Sequence, residues 1–406
     1  MSLASTSRVQ VRYIKESVFG VTPTSGNSRE LRITGESLNF NLTKEASTEI
    51  NAFRGVSSMV PTSAEASGSV NAEMQFGEYD EFFSGVIQSP WVAFGTAGVG
   101  ASFSATITAT TITASTATAG TSLFTLLRRG QWFSLEGANP ANSKLFRVSK
   151  LTSPTSTVIT LDAGTPGVVG GPFASASIRA SRLTNGVTQP SYTLERASGD
   201  TGEFFAYRGM TPGSMSLSIS SGALSTMEFM FMGKDAVANN ATHLPGTPTA
   251  SLTYPIMSGV SGSTCALWAS GSPMTGTFVN SISLSYDNTL RAQAAVCSLG
   301  SVAIGSGTIQ VTADLEVYFA SGRQFFSEFL TNEAIEISFT AFDSLGNGYI
   351  FTLPKANISS YNLNAGSADS DLMASISVTG LLDMGNADPL LRRVIMIDRV
   401  GAALVP

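Results

Sequence analysis

The chain has 406 residues, only 13% of them charged, and a formal net charge of −6. The low charge and the absence of a basic stripe exclude a protein that grips nucleic-acid phosphates, and two cysteines, Cys265 and Cys297, exclude a disulfide framework. Both cysteines read as small buried apolar residues. No run of 18 apolar residues and no apolar stretch near the start indicates a membrane span or a signal peptide, so the expected site of synthesis and assembly is a cytoplasm.

In chain order, residues 1–30 are polar and rich in Ser and Thr, and read as an N-terminal arm that gains order by lying on something else. Leu31–Thr43 holds an alternating strand, with Leu38, Phe40 and Leu42 opposite Ser37, Asn39, Asn41 and Thr43. Lys44–Pro61 is a long polar connection of the kind that usually has a role. Val70, Ala72, Met74 and Phe76 then alternate with Asn71, Glu73 and Gln75, the period of a half-buried strand. After Gly77 the period becomes helical: Phe82, Phe83, Val86 and Ile87 share one face, and Asp80 and Glu81 sit in the first turn. Residues 97–182 change character and predict an inserted small β-domain that folds separately: an Ala/Ser/Thr run over 101–122, then short strands near 131–135, 145–148, 158–161 and 174–179. Strands resume at Ser191–Arg196, Phe204–Arg208, Gly213–Ile219 and Leu224–Gly233. Residues 237–277 form a Gly/Ser/Pro-rich joining region.

The same order then returns at 278–383. Ser281–Asp287 corresponds to Ser37–Thr43. Ile309, Val311, Ala313, Leu315 and Val317 alternate with Gln310, Thr312, Asp314 and Glu316, and Phe325-Phe326-Ser327 repeats Phe82-Phe83-Ser84. Strands at 336–342, 349–353, 357–363 and 372–380 follow without an insertion, and 384–406 is a C-terminal tail. The chain is one unit used twice. Catalytic chemistry is missing. The single histidine, His243, has no Ser/Asp or Cys partner set around it, no Cys/His metal spacing occurs, and 342–348 reads as a β-turn rather than a calcium loop. The expectation is no enzyme, no metal and no cofactor.

RYIKESVFGVTP, then ELRITGESLNFNLTKEASTEI with Arg54, and later LTNGVTQPSYTLERA and YRGMTPGSMSLSISSGALSTMEFMFMGK, resemble the tail tube proteins of long-tailed bacteriophages. The resemblance covers roughly 10–96 and 183–236, with 278–383 a more distant copy. It implies a mainly β protein: two tandem tail-tube β-sandwich domains, each with a short flanking α-helix, plus the inserted β-domain. The first tube domain is then discontinuous, 31–96 with 183–236. It also implies stacked rings forming a hollow tube in the virion tail, through which DNA passes without specific binding. Partners would be the chain itself, six domains per ring and so a trimer with pseudo-six-fold symmetry, together with tape-measure, tail-tip and tail-terminator proteins; no membrane is involved. Alternation makes Asn71, Glu73, Gln75, Gln310, Thr312, Asp314 and Glu316 candidates for the lumen. Lys44, Glu45, Glu49, Arg54, Tyr13, Arg392 and Arg393 are candidates for contacts between rings. A competing reading is a β-sandwich adhesin or virion decoration module with the insertion as its binding head; self-assembly separates the two.

Overall fold

A computed structural model of the chain describes residues 5–94, 102–115, 123–137, 139–163, 166–260, 268–269, 272–273, 278–318, 323–366, 371–386, 388 and 391–401. The first unit begins with β1 (Val9–Lys15), β2 (Arg29–Leu31), β3 (Gly35–Glu36), β4 (Asn39–Ala46), β5 (Met59–Glu73), α1 (Asp80–Ile87) and β6 (Val92–Ala93). Six strands then close a barrel: β7 (Phe103–Ile107), β8 (Thr111–Ser115), β9 (Trp132–Glu136), β10 (Leu145–Val148), β11 (Val158–Ala163) and β12 (Gly170–Arg179). The first unit resumes with β13 (Ser181–Thr184), β14 (Tyr192–Ser198), β15 (Glu203–Ser220), β16 (Thr226–Gly233) and β17 (Asp235–Asn239). After β18 (Trp268–Ala269) and β19 (Ser272–Pro273) comes the second unit. It comprises β20 (Val279–Asp287), β21 (Arg291–Gln293), β22 (Ala303–Gly305), β23 (Gln310–Tyr318), α2 (Arg323–Thr331), β24 (Ile335–Phe342), β25 (Gly348–Asn364), β26 (Met373–Gly380) and β27 (Met396–Val400). The fold is mainly β, as the alternating strands predict, and sandwich-like, as the resemblance implies.

One antiparallel sheet runs through both units in the order β4-β5-β16-β15-β20-β23-β26-β25. Each unit supplies four neighbouring strands, and the two sets have the same order. They meet where Ser214–Ser220 pairs with Ser281–Asp287. The repeat extends to irregularities: β15 bulges at Gly213 against β16, and β25 bulges at Ser359 against β26. Aligning the bulges places Gly35–Asn41, not Ser37–Thr43, opposite Ser281–Asp287. The two-residue difference arises because alternation alone is blind to slips of two.

The N-terminal halves of β15 and β25 leave this sheet and enter outer ones. β15 joins β2-β1-β14-β15-β17, and β25 joins β24-β25-β27-β13-β6. Two features of the sequence reading change here. The N-terminal stretch is not an outlying arm, because Val11, Tyr13 and Ile14 of β1 are buried between β2 and β14. The stretch read as a C-terminal tail carries β27, whose Met396, Ile397 and Val400 are buried.

Between the sheets lies one continuous core. α1 occupies its middle: Asp80 and Glu81 suit the positive end of the helix dipole, and Gln88 caps the other end in the left-handed region. Phe82 points into the first unit, 4.8 Å from Tyr13 and 5.2 Å from Phe231 between ring centroids. Phe83 reaches both units, 5.4 Å from Tyr349 and 6.2 Å from Phe351 in the second and 5.5 Å from Phe229 in the first. Burying each ring contributes about 1.5–3 kcal/mol, so the Phe-Phe pair holds both units on one helix.

The barrel has its own core around Phe133, Phe146 and Ile178, but one wall is fastened to the second unit. Trp132 and Leu145 pack with Phe342, Ile350 and Val400. Buried Arg147 pairs with Glu336, which also takes Lys150 at 2.8 Å. Arg182 grips Asp398 through Nε and Nη2, both at 2.7 Å, and Asp398 also accepts the Trp132 N–H at 3.1 Å. The expectation of a separately folded insertion meets a domain with its own core but a shared, ion-paired wall.

Candidate functional site

The continuous sheet has one face in the core and one face open. Inward side chains are apolar: Val70, Phe229, Leu217, Leu284, Leu315 and Ile376 in successive strands. Outward positions are Ser, Thr, Asn and carboxylates, as period-two alternation requires. One row across the sheet reads Asn71, Glu228, Ser216, Ser285, Thr312 and Thr379; the next reads Glu73, Thr226, Ser218, Ser283, Asp314 and Ser377. Asp287 and Glu316 lie on the same face. No Lys or Arg stands among the described residues of the portions that lie in this sheet, 39–43, 65–73, 211–220, 226–233, 279–287, 310–318, 356–364 and 373–380. Arg208 and Lys355 belong to the halves of β15 and β25 in the outer sheets and pair there with Asp235 and Asp383. Two of the carboxylates are tied in place: Asp314 accepts Ser377 Oγ at 2.6 Å and Glu316 accepts Asn280 Nδ2 at 2.9 Å.

Six of the sequence candidates for the lumen, Asn71, Glu73, Gln310, Thr312, Asp314 and Glu316, therefore share this one open face. Gln75 does not. β5 ends at Glu73, and Gln75 is buried, bridged to Ile256, with Nε2 donating to the Tyr254 carbonyl at 2.9 Å. The sequence reading missed the serine rows of β15 and β20, although GSMSLSIS and SISLSYD alternate as clearly as the strands it chose.

Beyond the sheet, β4 and β5 continue as a hairpin with its tip at 47–58. Lys44, Glu45, Glu49 and Arg54 are all exposed there, beside the fully exposed apolar side chains of Ile50 and Phe53. Tyr13, proposed with them, lies instead in the core. Its ring contacts Phe82 and Tyr192 at centroid distances of 4.8 and 5.9 Å, and burial pushes its phenol well above the ordinary range. Arg392 and Arg393 are half-buried in the turn before β27, and Arg392 Nε donates to the Asn386 carbonyl at 2.9 Å. His243 is held through its backbone N–H to Glu195, at 2.6 Å. Cys297 is exposed rather than buried, on a turn with φ of 67° where its side chain has no core to enter; Cys265 lies outside the described residues.

The two units are also joined by a polar cluster that sequence reasoning did not find. Tyr349 donates to Asp80 Oδ1 at 2.5 Å and accepts the Gly77 N–H at 2.8 Å, while Arg399 pairs with Asp80 Oδ2 at 2.7 Å and lies over the Phe76 ring. Burial raises the Asp80 carboxyl above its usual range, with Arg399 opposing the shift.

Residues 6–380 match the family model described as Phage tail tube protein. No curated protein matches the chain.

Proposed function

The chain belongs to the phage tail tube protein family, and from that premise we propose that three copies close a ring, with stacked rings forming the hollow tube through which DNA leaves the virion. The observation that carries this reading is the open face of the continuous sheet. Such a face, curved into a closed wall, presents hydroxyls, amides and carboxylates to whatever passes. DNA phosphates meet no Lys or Arg cluster to hold them, and Glu73, Glu228, Asp314 and Glu316 repel them. Each chain brings two four-stranded sets, so six sets, three chains, complete a pseudo-six-fold wall. The apolar hairpin tip at Ile50 and Phe53, with Lys44, Glu45, Glu49 and Arg54 around it, is the contact to the next ring. Tape-measure, tail-tip and tail-terminator proteins meet the tube inside and at its two ends, and assembly takes place in the host cytoplasm. The role is structural and uses no catalytic group or cofactor. Negative-stain microscopy of the purified protein at high concentration tests it: rings or tubes are expected, and particles that stay monomeric at every concentration refute it.

A further inference from the structure

The structure contains one junction between units and, in the same chain, the two edges needed to make another. At the internal junction, the outer edge of β15 in the first unit pairs with β20 of the second, with Met215 opposite Tyr286 and Ser216 opposite Ser285. The counterpart of β15 is β25, and its segment 357–364 pairs only with β26 among the described residues. The counterpart of β20 is the β3–β4 strand, which pairs only with β5. Two free edges of the kinds already seen to fit one another therefore lie at opposite ends of the sheet.

The free edge also exposes what the internal junction buries. Phe83 and Ile87 of α1, next to the junction, are 1% and 0% exposed; their counterparts on α2, Phe326 and Leu330, are 43% and 66% exposed. Leu217 on β15 is 2% exposed and its counterpart Leu363 is 46% exposed. Apolar groups uncovered along one unpaired edge mark a surface whose partner is another molecule.

Resting on the ring reading above, we propose that β25 of one chain pairs with β4 of the next in the register of the internal junction. The aligned bulges carry Ser214–Ser216 onto Ser360–Asn362 and Ser285–Asp287 onto Asn39–Asn41. Ser360 then faces Asn41, Tyr361 faces Phe40, and Asn362 faces Asn39. The aromatic pair Tyr361–Phe40 lies on the core side and the Asn pair on the open face, matching Met215–Tyr286 and Ser216–Ser285. Ladder pairing stops before Leu38. Its N–H already goes to Glu36 Oε2 at 2.8 Å, and its carbonyl accepts the Tyr207 hydroxyl at 3.1 Å. Because Ser37 donates to Ser69 on the β5 side, Asn39 also turns its backbone toward β5. Asn39–Asn362 is thus a non-hydrogen-bonded pair, the kind in which side chains come closest.

Paired cysteines test the register, in a background carrying Cys265→Ser and Cys297→Ser. Directly opposed Cβ atoms lie about 4.5–5.5 Å apart and diagonal ones about 7–8 Å, and a disulfide spans only the former. Oxidised tubes of Asn39→Cys/Asn362→Cys should give dimers and trimers on denaturing gels, and Asn39→Cys/Asn364→Cys should give none. Tubes in which the first pair stays uncrosslinked, or only the second crosslinks, overturn the seam and leave the tube reading standing. A wild-type chain that never assembles overturns both. Phe326→Asp supplies a readout independent of disulfides: the monomer should keep its melting temperature and lose self-association, and unchanged assembly overturns the proposal.

Discussion

Replacing Asp398 by Ala perturbs the wall between the barrel and the second unit at its most enclosed point. Asp398 is 0% and Arg182 5% exposed. The carboxylate takes two bonds from Arg182 and one from the Trp132 N–H. Removing one partner of a buried pair costs about 3–5 kcal/mol, because the other charge stays buried without compensation. Arg182 keeps the carbonyls of Gly130 at 2.7 Å and Arg129 at 3.2 Å, which offsets part of that loss. Loss of the carboxylate acceptor of the Trp132 backbone N–H adds about 1–3 kcal/mol. The expected loss is about 4 kcal/mol. Arg182→Met/Asp398→Leu, which removes both charges and keeps the volume, still takes away the acceptor of the Trp132 backbone N–H and should lose about 1–3 kcal/mol, less than the single variant. Guanidinium denaturation followed by circular dichroism and by tryptophan emission reads both, since Trp132 is buried at this wall; the two probes need not coincide in a chain of several units. A single variant costing under about 1 kcal/mol, or a double variant as damaging as the single, refutes the clamp. The same geometry predicts that deleting 97–182 uncovers Phe342, Ile350 and Val400 and weakens the second unit.

Asp80 predicts a pH dependence. Its folded carboxyl is raised above the unfolded value of about 3.9, so its contribution is fullest below that value and is lost as pH rises toward the folded one. Asp80→Asn should flatten that part of the stability profile, measured by denaturation at a series of pH values; an unchanged slope contradicts it. Gly68→Ala should destabilise by more than about 1 kcal/mol, because φ is 147° and a Cβ there would meet the Ser37 carbonyl oxygen at 2.5 Å; a melting temperature equal to wild type counts against it. Ser216→Lys with Thr312→Lys, both exposed on the open face, should leave tubes intact while slowing DNA release from phage particles, and unimpaired release would remove the electrostatic argument for that face. Phe53→Asp should leave rings that no longer stack, seen by sedimentation; full-length tubes would show the hairpin tip to be irrelevant.

What was legible in the sequence was whatever a local period encodes. β5, β23 and the Phe-Phe helices stand out because each buries one face only, so polar and apolar residues alternate strictly. β7 and β8 were hidden in an Ala/Ser/Thr run, although Phe103, Ala105 and Ile107 alternate within it. β27 reads as tail because VIMIDRV is short, close to the end and broken by Asp398 and Arg399, whose partners Arg182 and Asp80 lie far along the chain. Gln75 and Tyr13 escape a local reading for one reason: where a strand ends or which sheet it joins depends on residues far along the chain, Tyr254 and Tyr192 here, that no local pattern names. The ion pairs under the barrel join residues more than 180 positions apart and leave no local trace.

The most direct measurement of the central claim is the symmetry of the tube by electron cryo-microscopy. The account predicts three chains per ring, an inner wall built from six four-stranded sets, and the serine and carboxylate rows of β15, β20 and β23 facing the channel. Six chains per ring, or a channel lined by the outer sheets, would contradict it.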